Sequence, residues 1–137
     1  MLSNRFCRIT GNISPCNITF GKIFLVKIIG TCSSNTYNHP GYALNAKQSR
    51  GAGGMLSFAV DSHETALKLL QNVKVATFAE SLGGPETLIT LPALQTHRDV
   101  EESQRLRLGI TDSLLRMSVG LENADDLIAD LDQALNG

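Results

Sequence analysis

The stretch Ser113-Leu-Leu-Arg-Met-Ser-Val-Gly-Leu-Glu-Asn-Ala-Asp-Asp-Leu-Ile-Ala-Asp-Leu131 changes its periodicity once, and that change decides the fold. From Ser113 to Val119 it alternates, with Leu115, Met117 and Val119 on one face and Leu114, Arg116 and Ser118 on the other, as a half-buried strand does. Gly120 ends the alternation. Asn123 then offers a helix N-cap, and Asp125 and Asp126 sit favourably against the N-terminal dipole. Ala124, Leu127, Ile128, Leu131 and Leu135 recur at helical spacing and form an apolar stripe. A strand with one inward arginine therefore leads into an acidic amphipathic helix.

Upstream, the segments are compact. Met55 to Val60 reads as a strand with Leu56, Phe58 and Val60 on one face. Asp61 or Ser62 supplies a cap, and the following helix buries Ala66, Leu67, Leu70 and Val73. Val73 to Phe78 reads as a second strand, and Glu80-Ser-Leu-Gly-Gly-Pro85 as a loop. Glu86 to Leu91 is a strand closed by Pro92. Asp99 and Glu102 have cap spacing before a short helix that stops at Gly109. The order strand, helix, strand, strand, helix, strand, helix predicts an α+β fold: an antiparallel sheet of split β-α-β type with helices on one face.

The first part of the chain has another character. Residues 1–60 contain six Lys or Arg and no acid, whereas all thirteen Asp and Glu follow residue 60. Two halves with such different charge statistics do not read as one surface. Residues 1–38 match no pattern and are expected to be irregular, a disordered or non-native segment. A turn at Pro40-Gly41 precedes the domain of residues 39–137, in which Leu44 to Gln48 ends a helix before Gly51, Gly53 and Gly54.

The length of 137 residues accommodates one such domain. The net charge of -1 gives no argument for a nucleic-acid or anionic-membrane partner. The apolar run Ile18 to Ile29 is broken by Lys22 and Lys27 and is too short to span a bilayer. Cys7, Cys16 and Cys32 are odd in number and lack metal-ligand spacing, so neither a disulfide framework nor a metal site is expected. The acid-free start is read as extra sequence from a truncated or misassembled gene product, or alternatively as a mitochondrial transit peptide. Asn17-Ile-Thr19 fits a glycosylation acceptor, a pattern too short to carry weight.

Four segments resemble the C-terminal domain of the Cys/Met-metabolism pyridoxal-phosphate enzymes, the transsulfuration group, and lean toward its cystathionine γ-lyase and γ-synthase branch. The first is His39-Pro40 with Gln48, Gly51 and Gly53-Gly-Met-Leu-Ser-Phe58. The second is Thr77-Phe-Ala-Glu-Ser-Leu-Gly-Gly-Pro-Glu-Thr-Leu-Ile89. Leu91-Pro-Ala with Thr96-His97 is the third, and Leu108 to Glu122 with Asp125 to Leu131 is the fourth. Order and spacing agree throughout, which is far more specific than a lone motif.

The resemblance implies the small domain of a fold-type I enzyme that uses pyridoxal 5'-phosphate on sulfur amino acids such as cystathionine. It implies a cytoplasmic homotetramer, and four substrate-binding residues: Arg116, Ser81, Glu80 and Thr96. Arg116 corresponds to the arginine that holds the substrate α-carboxylate, a task suited to a planar guanidinium with parallel donors. Ser81 corresponds to a residue beside the cofactor-bound amino acid. Glu80 matches an acid facing the far end of the substrate, and Thr96 a threonine near the carboxylate. On the residues alone, Arg116 also suits a surface ion pair, Ser81 a turn, Glu80 an exposed loop and Thr96 a plain strand end.

The family's Schiff-base lysine lies in a Ser-x-Thr-Lys context. None of Lys22, Lys27, Lys47, Lys68 and Lys74 has that context. No catalytic residue and no cofactor-binding residue is assigned, and the chain by itself is expected to be inactive toward cystathionine. Gly83-Gly84 makes a poor phosphate cradle, because Pro85 removes an amide and no helix follows at the needed spacing. His39, His63 and His97 are scattered and read as structural or solvated. A stand-alone ferredoxin-like amino-acid-binding or subunit-interaction module remains the alternative that strand and helix order alone would allow.

Overall fold

The computed structural model describes residues 17–20, 23–30, 42–48 and 53–137. Six strands form one sheet in the order β1-β2-β3-β6-β5-β4. They are β1 (Asn17–Phe20), β2 (Ile23–Gly30), β3 (Met55–Ala59), β4 (Thr77–Phe78), β5 (Leu88–Thr90) and β6 (Leu114–Ser118). The helices are α1 (Tyr42–Gln48), α2 (His63–Asn72), α3 (Glu102–Arg107) and α4 (Ala124–Asn136).

The expected α+β architecture is present. β3 and β4 flank β6 and β5, so the β3-α2-β4 crossover is split by two strands. β3 pairs antiparallel with β6, and β6 antiparallel with β5. One pairing departs from an all-antiparallel sheet: β4 and β5 are parallel, with Thr77 opposite Leu88 and Phe78 opposite Ile89. The intervening loop is drawn across the sheet and tied to residues beyond β6, so the chain re-enters at the end where β4 began.

Alternation of β6 sorts the two faces. Leu115 and Met117 are fully buried beside Leu56, Phe58 and Ile89, and the core continues into Ala66, Leu69 and Leu70 of α2 and Leu131, Ala134 and Leu135 of α4. Leu67, Val73 and Ile128, expected inside, are only partly buried, and Leu69 and Ala134 take the central places. Ser62 is the α2 cap, its side chain accepting from the Thr65 amide. Asn123 caps α4 by accepting from the Asp125 amide. At α3 the cap differs from expectation: Glu101 occupies it without a side-chain bond, while Gly109 provides the positive-φ stop.

Strands β1 and β2 lie within the segment expected to be irregular. Ile23, Val26, Ile28 and Ile29 give β2 the β-branched content that favours extended backbone. It pairs antiparallel with β3 and so occupies that strand's outer edge. Residues 1–16, 21–22, 31–41 and 49–52 lie outside the described residues, and with them Cys7, Cys16, Cys32, His39 and the Pro40-Gly41 turn.

Asp130 replaces an apolar residue on the inner side of α4 and is buried. Its carboxylate accepts from the backbone amides of Lys74 at 2.7 Å, Val75 at 2.9 Å and Ala76 at 3.0 Å. Gln133 Nε2 donates to the same group and to the Asn72 carbonyl, closing the joint between α4 and the end of α2. This joint explains why the expected strand from Val73 shrinks to two residues, because three of its amides turn toward Asp130. Burial works to raise the carboxyl pKa, but these hydrogen bonds outweigh it and hold the group below its ordinary value of 3.8.

A depressed folded pKa stabilises the protein above the unfolded value, and that contribution disappears as pH falls through the folded value. Asp130→Asn keeps one acceptor oxygen and should lose roughly 1–3 kcal/mol in urea melts near pH 7. The gap between variant and parent should narrow as the pH is lowered below 3.8. An unchanged midpoint at pH 7 would show that the joint carries no weight.

Candidate functional site

On the face away from α2 and α4, Ser57, Arg116 and Thr90 form one row across β3, β6 and β5. Arg116 is half-buried, and its Nη2 donates to the Glu80 carbonyl at 2.9 Å. One of five guanidinium N–H donors is thus used to orient the group, leaving the others for a planar acceptor. Ser81 follows directly and is exposed. The fold thereby brings Arg116, Glu80 and Ser81 together, with Glu80 taking part through its main chain while its side chain is exposed.

Thr96 stands slightly apart. Its hydroxyl lies 2.9 Å from His97 Nδ1, and no bond joins it to Arg116, Glu80 or Ser81 among the described residues. Its neighbour Gln95 accepts a hydrogen bond from the Thr90 hydroxyl. Thr90 is 1% exposed and is the strand partner of Arg116, so the 92–98 segment is tied down alongside the arginine's row.

The loop bearing Glu80 and Ser81 is moored on residues that follow Arg116 in the chain. Gly83 N donates to Ser118 Oγ at 2.9 Å, and Leu121 N donates to the Pro85 carbonyl at 2.7 Å. At the loop's far end, Thr87 gives its amide to Glu122 Oε1 and its hydroxyl to Glu122 Oε2, both at 2.6 Å. Gly120 N in turn donates to Thr87 Oγ1 at 2.9 Å. Burial works to raise the Glu122 pKa, but the Thr87 hydroxyl and amide, with Glu122's own amide, hold it below the usual carboxylate value.

Thr87, Ser118 and Glu122 were not among the residues singled out from sequence. Thr87 and Ser118 signal only as polar residues at expected strand positions, and Glu122, in the turn between β6 and α4, gives no such signal. The Gly83 amide is committed to Ser118, in keeping with the rejection of a phosphate cradle at Gly83-Gly84. His63 Nδ1 meets the Asp112 carbonyl at 2.9 Å and His97 meets Thr96, so both have structural partners. Among the described residues no group of three His, Cys, Asp or Glu side chains is placed to hold a metal ion. No helix among them is long and apolar enough to cross a membrane.

A split mixed sheet with helices on one side, and an arginine braced by a glycine-rich loop on the other, defines a small α+β domain built to present a guanidinium. Comparison with known proteins gives it a family. The family model for the Cys/Met metabolism PLP-dependent enzymes matches residues 33–136. Cystathionine gamma-lyase of Bacillus subtilis (strain 168) is 51% identical over 98 residues, covering 72% of this chain and 26% of that protein. Cystathionine gamma-synthase of Haemophilus influenzae is 54% identical over 82 residues, 60% of this chain and 22% of the relative.

Among solved structures, cystathionine gamma-lyase from Lactobacillus plantarum complexed with L-serine superposes with a TM-score of 0.75 at 29% identity, over 98% of this chain and 32% of that one. Cystathionine gamma synthase from Xanthomonas oryzae in complex with cystathionine gives 0.74 at 32% identity, again over 98% of this chain and 32% of that one. The chain belongs to the Cys/Met-metabolism PLP-dependent enzymes. It spans about a quarter of the length of the curated relatives it matches.

Gly120 tests the mooring. A Cβ there would sit 2.3 Å from the Pro85 carbonyl oxygen and 2.5 Å from the Glu86 carbonyl carbon, both backbone atoms that cannot rotate aside. Gly120→Ala should therefore cost roughly 1–3 kcal/mol in denaturant unfolding and speed exchange of the Leu121 amide. A variant of parental stability would show that the loop does not rest on Gly120.

Proposed function

We propose that this chain is the substrate-carboxylate-binding portion of a PLP-dependent transsulfuration enzyme acting on sulfur amino acids such as cystathionine. The observation carrying this reading is the Arg116 guanidinium, braced by the Glu80 carbonyl next to exposed Ser81 on the sheet face away from the helices. An α-carboxylate accepts two parallel N–H bonds from such a group, which sets the direction of the rest of the amino acid. In this reading Ser81 serves beside the bound amino acid, the exposed Glu80 side chain meets a distal amino group, and Thr96 serves near the carboxylate.

Holding an amino acid in one orientation lowers the barrier of the step that follows by several kcal/mol, a share of the roughly 7–11 kcal/mol that well-placed reactants can gain. Pyridoxal phosphate, when bound by such an enzyme, supplies the electron sink. The described residues do not fit that group: the side chains of Lys47, Lys68 and Lys74 are all exposed, and the Gly83 amide is already bonded. We assign the cofactor grip and the cofactor-bonding lysine to polypeptide other than residues 39–137, and a cytoplasmic homotetramer to the whole assembly.

Two measurements test this. The 137-residue chain given pyridoxal phosphate and cystathionine should release no keto acid or thiol above a heat-treated control. A chimaera in which residues 39–137 replace the matching segment of the Bacillus subtilis cystathionine gamma-lyase should be active, and Arg116→Ala in it should lower kcat/KM by about 100-fold or more, as expected for losing a charge-assisted bidentate contact. Arg116→Lys should recover only a small part of that loss. Parental kcat/KM in Arg116→Ala would rule out the carboxylate role.

A further inference from the structure

We infer that Glu122 is a positioning residue for the Arg116 site, acting through Thr87 to hold the 80–87 loop where its Glu80 carbonyl can brace the guanidinium. The inference rests on the carboxylate reading given above and adds a residue that touches neither substrate nor cofactor.

Backbone bonds hold both ends of the loop: the Ala79 amide donates to the Ile89 carbonyl at its start, and the Thr77 amide to the Thr87 carbonyl at its far end. What ties the far end to the stretch that follows Arg116 is the Leu121–Pro85 bond and the Thr87 cluster, in which Thr87 takes part through both its amide and its side chain. Thr87 is fully buried, and its hydroxyl does two things at once: it accepts from Gly120 N and donates to Glu122. Because the hydroxyl has one proton, that proton is assigned to Glu122 by the bond from Gly120.

The partner at position 122 must therefore accept from both the amide and the hydroxyl of Thr87. A carboxylate offers two acceptor oxygens in one plane and meets both. Glutamine offers one neutral acceptor, which satisfies the Thr87 amide but leaves the hydroxyl only a neutral bond through its second lone pair, so the charge-assisted donation to position 122 is lost. Aspartate is shorter by one methylene and does not span the same gap.

Geometry links this latch to the site rather than to stability alone. Arg116, Ser118, Gly120 and Glu122 follow one another at two-residue steps on one continuous stretch. The first meets Glu80, the second Gly83, the third and fourth Thr87. Releasing Thr87 leaves the loop held at Gly83, Pro85 and Glu80, so disorder spreads along it toward the carbonyl that orients Arg116.

The test is amide and arginine side-chain hydrogen exchange by NMR on the full 137-residue chain. In Glu122→Gln, the amides of Gly83 and Leu121 and the Arg116 Nη2 protons should exchange about tenfold faster, the change expected for loss of one charge-assisted hydrogen bond. Amides within α2 should move far less. Thr87→Val should reproduce the pattern and Thr87→Ser should restore it, which also covers the case in which Glu122→Gln fails to fold. Equal acceleration in the loop and in α2 would make the latch a general stabiliser and overturn the inference, as would unchanged exchange of the Arg116 Nη2 protons. No substrate enters the experiment, so a failed carboxylate role would be registered separately by the chimaera.

Discussion

Strand β6 must satisfy two environments at once, and the rest of the domain follows from that constraint. Leu115 and Met117 are excluded from water against α2 and α4, and the two-residue period of a strand then places Arg116 on the opposite face without choice. A slip of one residue would push the guanidinium into the core and both apolar side chains out of it. The identity of the core thus guarantees the orientation of the arginine more firmly than any contact the arginine makes itself.

The face that carries Arg116 is not left open. Leu88, Thr90, Leu114 and Ser118 are buried there, on the side opposite α2 and α4. Two irregular segments cover part of it, the 80–87 loop bonded to Ser118 and Glu122 and the 92–98 segment bonded to Thr90. Irregular chain over a sheet must find partners for its amides, and here side chains supply them. Asp130 performs the same service for residues 74–76. Two carboxylates far apart in the fold therefore organise the main chain on either side of β4, the strand that would otherwise be too short to hold its place.

Much of this was legible in the linear chain wherever periodicity and local capping decide. The alternation around Arg116, the Asn123 cap, the Ser62 cap and the Gly109 stop all depend on residues within a few positions of one another. Glu80 and Ser81 were named through resemblance, and the fold bonds the Glu80 carbonyl, next to Ser81, to Arg116. Thr96 was named on the same ground, and its only bonded partner among the described residues is His97. Asp130 was passed over because an acid inside an apolar stripe looks like a solvated interruption until its amide donors, more than fifty residues away, are known. Thr87 and Glu122 were passed over for the same reason, since each is ordinary alone and acquires meaning only as a pair.

What the order of residues determined by itself was most of the elements from Met55 onward, though not β1 and β2, the face of each that seeks the core, and the family signature around Arg116. These are local matters, governed by periods of two and 3.6 residues and by caps. Only the tertiary structure decided the parallel pairing of β4 with β5, the path of the 80–87 loop and the choice of Glu80's carbonyl as the brace for the guanidinium. Those outcomes depend on hydrogen-bond partners some 30 to 60 positions apart, and the backbone must close through the whole core before such partners meet.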